Sequence, residues 1–371
     1  GTLWLAEGAR LSAPGTNVAG SFGIVVGDTL YFTRVDLRAS PLNLDLLASM
    51  LPSGLPVEGL LVGTVVLEGP ISSLTTRGDL RLSSGSEVPS SVRWSGTFDL
   101  RAPYGVRNLE ADVRSLDLEL LSALGPRFPV SGRVSGRLEA TGQLDGALRF
   151  SGLVRHEAGD GPGSEIEAWG TVVDAASRPA LDVEMTIRPL ALDALAASVP
   201  ALAALGRELK GELRGPARIR GPLSDLEVVA DLDTSAGEIG VTGRFDLEAP
   251  EPRYMVGGHV SAFRLHELLL GLPRSEFSGD FRVEGRGTDP ATAAGDLFLA
   301  LDPGNVAGVE VRGARLRLSV EDGIAHVDTL LIETGVGRLN AYGQLGLTAD
   351  RAGELQFEIV ADSLSTLRPV L

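Results

Sequence analysis

The pattern that most restricts this chain is a short strand bounded by two glycines six residues apart. It is written four times, as GTVVLEG (63–69), GRLEATG (136–142), GPARIRG (215–221) and, inside FSGDFRVEG (277–285), from Gly279 to Gly285. Around each frame the residues alternate. Val134, Gly136, Leu138 and Ala140 share one side of a strand, and Arg133, Ser135, Arg137, Glu139 and Thr141 the other. Leu213, Ala217 and Ile219 stand against Glu212, Arg214, Arg218 and Arg220, and Phe281 and Val283 against Asp280, Arg282 and Glu284. Leu316, Leu318 and Val320 continue the pattern before EDG (321–323), a favoured hairpin sequence. Successive side chains of a strand point to opposite sides, so this alternation marks antiparallel sheet with one apolar and one wet face. A parallel α/β sheet would need strands that are apolar throughout.

Ahead of each frame runs a leucine-rich segment ending in proline: SPLNLDLLASMLP (40–52), SLDLELLSALGP (115–126), PLALDALAASVP (189–200) and FRLHELLLGLP (263–273). Leu or Ala at helical spacing predicts about three turns in each, with the proline as the stop. The strands VDLRA, LEADVRS, LDVEMTIR and MVGGHVSAF lead into them, and WSGTFDL, AWGTVVD, VTGRFDL and AYGQLGL come later in each copy. This ordered strand–helix–strand grammar reads as one continuous repeat array rather than a row of domains. The expected limits are a partial repeat at 1–39, repeats at 40–114, 115–188, 189–262 and 263–360, and the start of another at 361–371. The chain opens GTLWLAEGARL, without Met and already strand-like, and reads as an excerpt of a longer protein.

The fold class expected is therefore mainly β, an elongated antiparallel repeating groove with short helices, roughly one per repeat. At roughly five strands per copy and about 4.8 Å per strand, such a sheet is on the order of 100 Å across. Strands twist by roughly 20–25° each, so it must close, fold into a sandwich or coil into a trough. Helices of this length plug or cap an edge; they do not cover a continuous apolar face. Candidate lining residues are Val134, Leu138, Leu213, Ile219, Phe281, Val283, Leu316 and Leu318.

Composition narrows the function classes. Hydrophobic residues make up 43 % of the 371, aromatics only 5 %, with 47 glycines and 21 prolines. The net charge of −16 argues against nucleic acid, whose binders gather Lys and Arg to displace counterions. Runs such as RGPARIRG read as a solvated outer face, the alternative being contact with anionic headgroups or with another envelope protein. The chain has no cysteine, which removes disulfides, thiolate metal sites and cysteine nucleophiles. None of the four histidines, His156, His259, His266 and His326, has a helix-spaced partner for a metal. HEAGDGPGSE (156–165) lacks the alternating Asp/Asn frame of a calcium loop, and GVGRLNAYG (335–343) reads as a hairpin rather than a dinucleotide fingerprint. No phosphate-binding loop and no GxSxG elbow is present. The expectation is a protein without catalytic residues, metal or cofactor.

The strand followed by SLDLELLSALGP, the frame SGRVSGRLEATGQL and the block VEDGIAHVDTLLIETGVGRLNAYGQLGL together resemble the AsmA-like family, of the TamB type. In that block the strand ending in Asp-Gly is 316–322. The amphipathic strand is 324–332, the Gly-rich hairpin 334–338 and the last strand 343–347. IVVGDTLYFTRVDLRA (24–39) is a weaker version, and the likeness extends over nearly the whole chain. It departs where residues 286–340 add material to the fourth copy. The resemblance implies a taco-shaped β-groove with an apolar lining, in a periplasmic chain anchored in the inner membrane by a segment outside this one. It also implies phospholipid as cargo between inner and outer membrane, and an outer-membrane β-barrel partner such as TamA. A scaffold or chaperone offering sheet edges to incoming β-barrel or autotransporter chains is the competing expectation. A closed structural β-solenoid is the third.

Overall fold

In the computed structural model the described residues are 2–46, 59–83, 88–118, 132–157, 163–193, 209–287, 289, 291–348 and 351–361. By their internal contacts those up to Val183 form one unit and those from Glu184 a second. The first holds β1 (Thr2–Ala13), β2 (Thr16–Val26), β3 (Leu30–Asn43), β4 (Leu60–Pro70), β5 (Leu74–Ser83), β6 (Ser90–Asp99), β7 (Gly105–Asp117), β8 (Arg133–Gln143), β9 (Ala147–Glu157) and β10 (Ser164–Val173). Each pairs antiparallel with the next in sequence. The division between the units falls within β11 (Ala180–Ala191).

The second unit continues with β12 (Glu212–Pro222), β13 (Leu226–Thr234), β14 (Gly237–Asp246), β15 (Arg253–Phe263) and a one-turn helix α1 (Leu265–Leu268). Then come β16 (Ser275–Arg286), β17 (Ala294–Leu301), β18 (Gly304–Val306), β19 (Val309–Glu321), β20 (Ile324–Thr334), β21 (Gly337–Gly346) and β22 (Glu354–Ala361). From β12 on these strands also pair with their sequence neighbours, except that β17 and β18 share one lane between β16 and β19. The mainly β, antiparallel fold expected from alternation is what the chain adopts.

Register explains the glycine frame. Between β3 and β4 the ladder pairs Ala39 with Gly63 and then Leu42 with Leu61, so β3 spends one residue more than β4. The same step occurs from Val113–Gly136 to Leu116–Val134 and from Val260–Gly279 to Phe263–Phe277. The second glycine marks a second step in two copies, at Phe32–Gly69 and Val106–Gly142. Gly63, Gly69, Gly136, Gly142 and Gly279 thus stand on the last regular rung beside a β-bulge, the device that bends a strand and sharpens its twist, whereas Gly285 pairs regularly with Tyr254 and Gly295. Ser278 Oγ accepts the Ala262 amide across one bulge, and Ser135 Oγ accepts the Ser115 amide across another (3.1 and 2.9 Å).

Two expectations need correction. FRLHELLLGLP forms one helical turn, not three. Leu269 is already extended at φ −123°, ψ 116° and bridges Leu209, and Gly271 follows at φ +82°. Residues 40–43 and 189–191 belong to strands; the helical residues there are 44–46 and 192–193, and the first begins where Asn43 Oδ1 accepts the amides of Asp45 and Leu46. The rest of those two segments, and 119–126 of the second, lie outside the described residues. The estimate of five strands per repeat is also too high: β4 to β7, β8 to β11 and β12 to β15 are sets of four. Strands of 10 to 13 residues in β4–β7 are about twice the usual length, so fewer fill a repeat.

In the second unit a cluster closes one end of the apolar face. Leu192, Ala236, Val260, Phe263 and Leu268 are buried together, with Leu209, Leu213, Ile239, Leu265, Phe277 and Phe281 packed on them. The Phe263 and Phe277 rings lie 6.0 Å apart on directly paired residues.

Candidate functional site

Directly paired residues share a face, so register can be followed from strand to strand. In the second unit one row starts Ile219, Val228, Gly243, Val256 and Val283. It continues through Leu297, Leu318, Val327 and Gly343 to Leu355. The neighbouring row starts Ala217, Ala230, Val241, Gly258 and Phe281. It ends Leu299, Leu316, Leu330, Ala341 and Phe357. Neither contains a polar side chain over ten strands. At about 4.8 Å per strand each row is roughly 43 Å long.

The first unit repeats the arrangement. One of its rows is Leu11, Val18, Ala39, Gly63 and Leu80, followed by Val92, Val113, Gly136, Val154 and Ile166. The next carries Leu37, Val65, Gly78, Trp94, Ala111 and Leu138 in turn. Trp94 lies across Gly78, where a Cβ would meet the ring, and its Nε1 donates to Thr76 Oγ1 at 2.9 Å. Thr76, paired with Leu67 and Gly96 beside these rows, is buried, so this bond satisfies it.

All eight candidate lining residues lie on the apolar faces. Phe281, Val283, Leu316 and Leu318 are brought into two adjacent rows, and Ile219 heads one of them. Leu213 packs against the cluster at the row ends. In the first unit Leu138 is 40 % exposed, paired with Ala111 and Gly152, and Val134 sits at the rim opposite Leu116 and His156. Sequence reading missed Trp94, and it missed Leu297, Leu299, Val327 and Leu330. LFLAL (297–301) is apolar throughout, with Phe298 on the charged side between Arg282 and Arg317, so alternation did not mark it. The face is thinly covered. Among the described residues no large side chain is fully buried, and on β22 Phe357 is 70 % exposed.

The other face is charged. Asp79, Arg93, Asp112 and Arg137 follow one another across β5 to β8, with Arg93 Nη2 2.7 Å from Asp79 Oδ2. That hydrogen bond and the Asp79 charge raise the Arg93 pKa above its ordinary value. A crevice of about 690 Å³ lies here between side chains such as Arg77, Arg93, Glu110 and Arg137. Its lining mixes these ions with Val66, Trp94 and Ala111. In the second unit His259 Nδ1 is 2.9 Å from Asp280 Oδ1 on this same face. His266 accepts the Ser275 amide. Among the described residues no group of three His, Cys, Asp or Glu is placed to hold a metal, and no helix is long and apolar enough to cross a membrane.

Comparison with known proteins finds no matching family model, no matching curated protein and no matching solved structure.

Proposed function

We propose that the chain carries phospholipid on its apolar sheet face and performs no covalent chemistry, as a periplasmic protein of the AsmA-like, TamB type. The observation that supports this is the set of unbroken apolar rows in each unit, with no large side chain fully buried among the described residues. Leaving such a surface in water is costly, and acyl chains placed on it gain about 0.8 kcal/mol per methylene buried. Most residues of these rows are only half-buried, although Ala230, Val327 and Ala341 are buried, and apolar surface left open in this way is a mark of an interaction surface. The uniform apolar lining of the rows suits a cargo that slides rather than one that docks once. On this reading the charged face looks to solvent, an anchor outside this segment ties the chain to the inner membrane, and a β-barrel such as TamA is the outer-membrane partner.

The test is Val283→Asp combined with Leu318→Asp, two positions of one row that flank Leu297. The protein is purified, its organic extract analysed by mass spectrometry, and its secondary structure followed by circular dichroism. Wild type should retain phospholipid, and the double variant should lose most of it while keeping its β content. Equal lipid content in the two proteins overturns the reading.

A further inference from the structure

One stretch of the first unit's apolar face departs from its aliphatic lining. Along the row Leu37, Val65, Gly78, Trp94, Ala111 and Leu138, the bulkiest kind of side chain is paired directly with a residue that has none. With every side chain upright, a ring would rise out of the lane next to a gap. The geometry is different. A Cβ on Gly78 would overlap Cη2, Cζ2 and Cζ3 of the indole, so the benzo edge of Trp94 occupies the place where a side chain at 78 would begin. Nε1 donates to Oγ1 of Thr76, two residues away on β5 and therefore on the same face. The two contacts together lay the ring over β5. The φ of Gly78 lies outside the left-handed region, so it is the ring, not the backbone, that needs glycine there.

Resting on the phospholipid reading above, we infer that Trp94 is a positioning residue of the lane: seated on Gly78 and fixed by Thr76, it is a level floor that acyl chains touch, and lifted from that seat it obstructs them. The ring fills the gap that glycine leaves, which keeps the row even between Val65 and Ala111. A hydrocarbon chain passing over the ring meets a broad apolar surface and gains dispersion contact along it. The indole has a single polar hydrogen, and Thr76 takes it up, so no unsatisfied donor faces the cargo. Thr76 is itself buried, which shields the bond from water.

The chain has three tryptophans, and Trp169 supplies the control. It is 42 % exposed on the charged face, in the row of Glu110, Glu139 and Ser151. Two single-tryptophan proteins are made, one with Trp4→Phe and Trp169→Phe, the other with Trp4→Phe and Trp94→Phe. Each is mixed with phosphatidylcholine vesicles brominated on the acyl chain, separated from them and read by fluorescence, since bromine quenches indole at contact range. Compared with protein loaded from unbrominated vesicles, Trp94 should lose most of its emission and Trp169 almost none. Retained lipid with Trp94 unquenched, or with both tryptophans quenched alike, overturns this inference alone. The seat is tested by Gly78→Ala, whose methyl group displaces the ring. Retained phospholipid should fall severalfold at unchanged circular dichroism, and adding Trp94→Ala should restore most of it, because the obstruction is gone. A ring that only packs the sheet predicts a double variant no better than the single. That result, or unchanged retention in Gly78→Ala, overturns the inference. No retained lipid in wild type overturns the phospholipid reading with it.

Discussion

At the scale of single residues, glycine and one tryptophan carry the unusual geometry. Gly215 holds φ +141°, and a Cβ there would lie 2.1 Å from the Asp231 carbonyl oxygen across the ladder. A side chain cannot be added without moving the backbone of β13. Gly215→Val should lower stability by about 1–3 kcal/mol, read as a drop in the urea midpoint, because the residue must leave a conformation that only glycine holds cheaply. An unchanged midpoint would show that the strand relaxes freely. The second case is the Trp94–Thr76 bond. Thr76→Val keeps the shape but removes the acceptor, leaving an indole N–H on an apolar face. It should cost about 1 kcal/mol and alter the tryptophan emission spectrum. Neither effect was legible in the sequence. Gly215 could be located as a frame position, but not its conformation, and nothing near Trp94 announces which hydroxyl it will find.

At the scale of elements, alternation was readable and bulges were not. One residue inserted into a strand turns over the faces of everything beyond it. The runs VDLRASPLN and LEADVRSLD look like strands that lose their phase and become helix. In the structure they stay extended, and the phase slip is the bulge opposite the residue before the frame glycine. The available signal was the Ser-Gly dipeptide at 135–136 and 278–279, whose serine satisfies the bulged amide. Ser278→Ala should expose the Ala262 amide, with faster hydrogen exchange there and a loss of about 1 kcal/mol. Protection equal to wild type would mean that another acceptor serves. The helix at FRLHELLLGLP was over-read for a related reason. Leucine at helical spacing in FRLHELLLGLP also suits a turn followed by an extended segment, and contact of Leu268 with the cluster decides between them.

At the scale of the whole molecule, both units obey one rule: a strand pairs with its neighbours in sequence, and apolar residues line up across it. The choice of antiparallel sheet, the wet and greasy faces and the side of the strand on which the eight candidate residues lie followed from period-two patterning alone. The continuity of the rows did not, because continuity depends on register, and register depends on bulges and turns that patterning leaves open. The charged face contributes little to holding the sheet together. Its ion pairs are exposed, and pairs of that kind are worth about 0–1 kcal/mol. Stability must come from the ladders and from the apolar side chains packing against one another.

Neighbour-only pairing has a further consequence, for how such a chain changes length over generations. A strand added singly would reverse the direction of everything after it and exchange the two ends of the sheet. A hairpin added whole restores both direction and end. The last described set, β16 to β22 with β17 and β18 in one lane, has six lanes where the earlier sets have four, one hairpin more. The rows stay in phase across it, so growth or loss by duplicated hairpins leaves the greasy lane unbroken while altering only its reach.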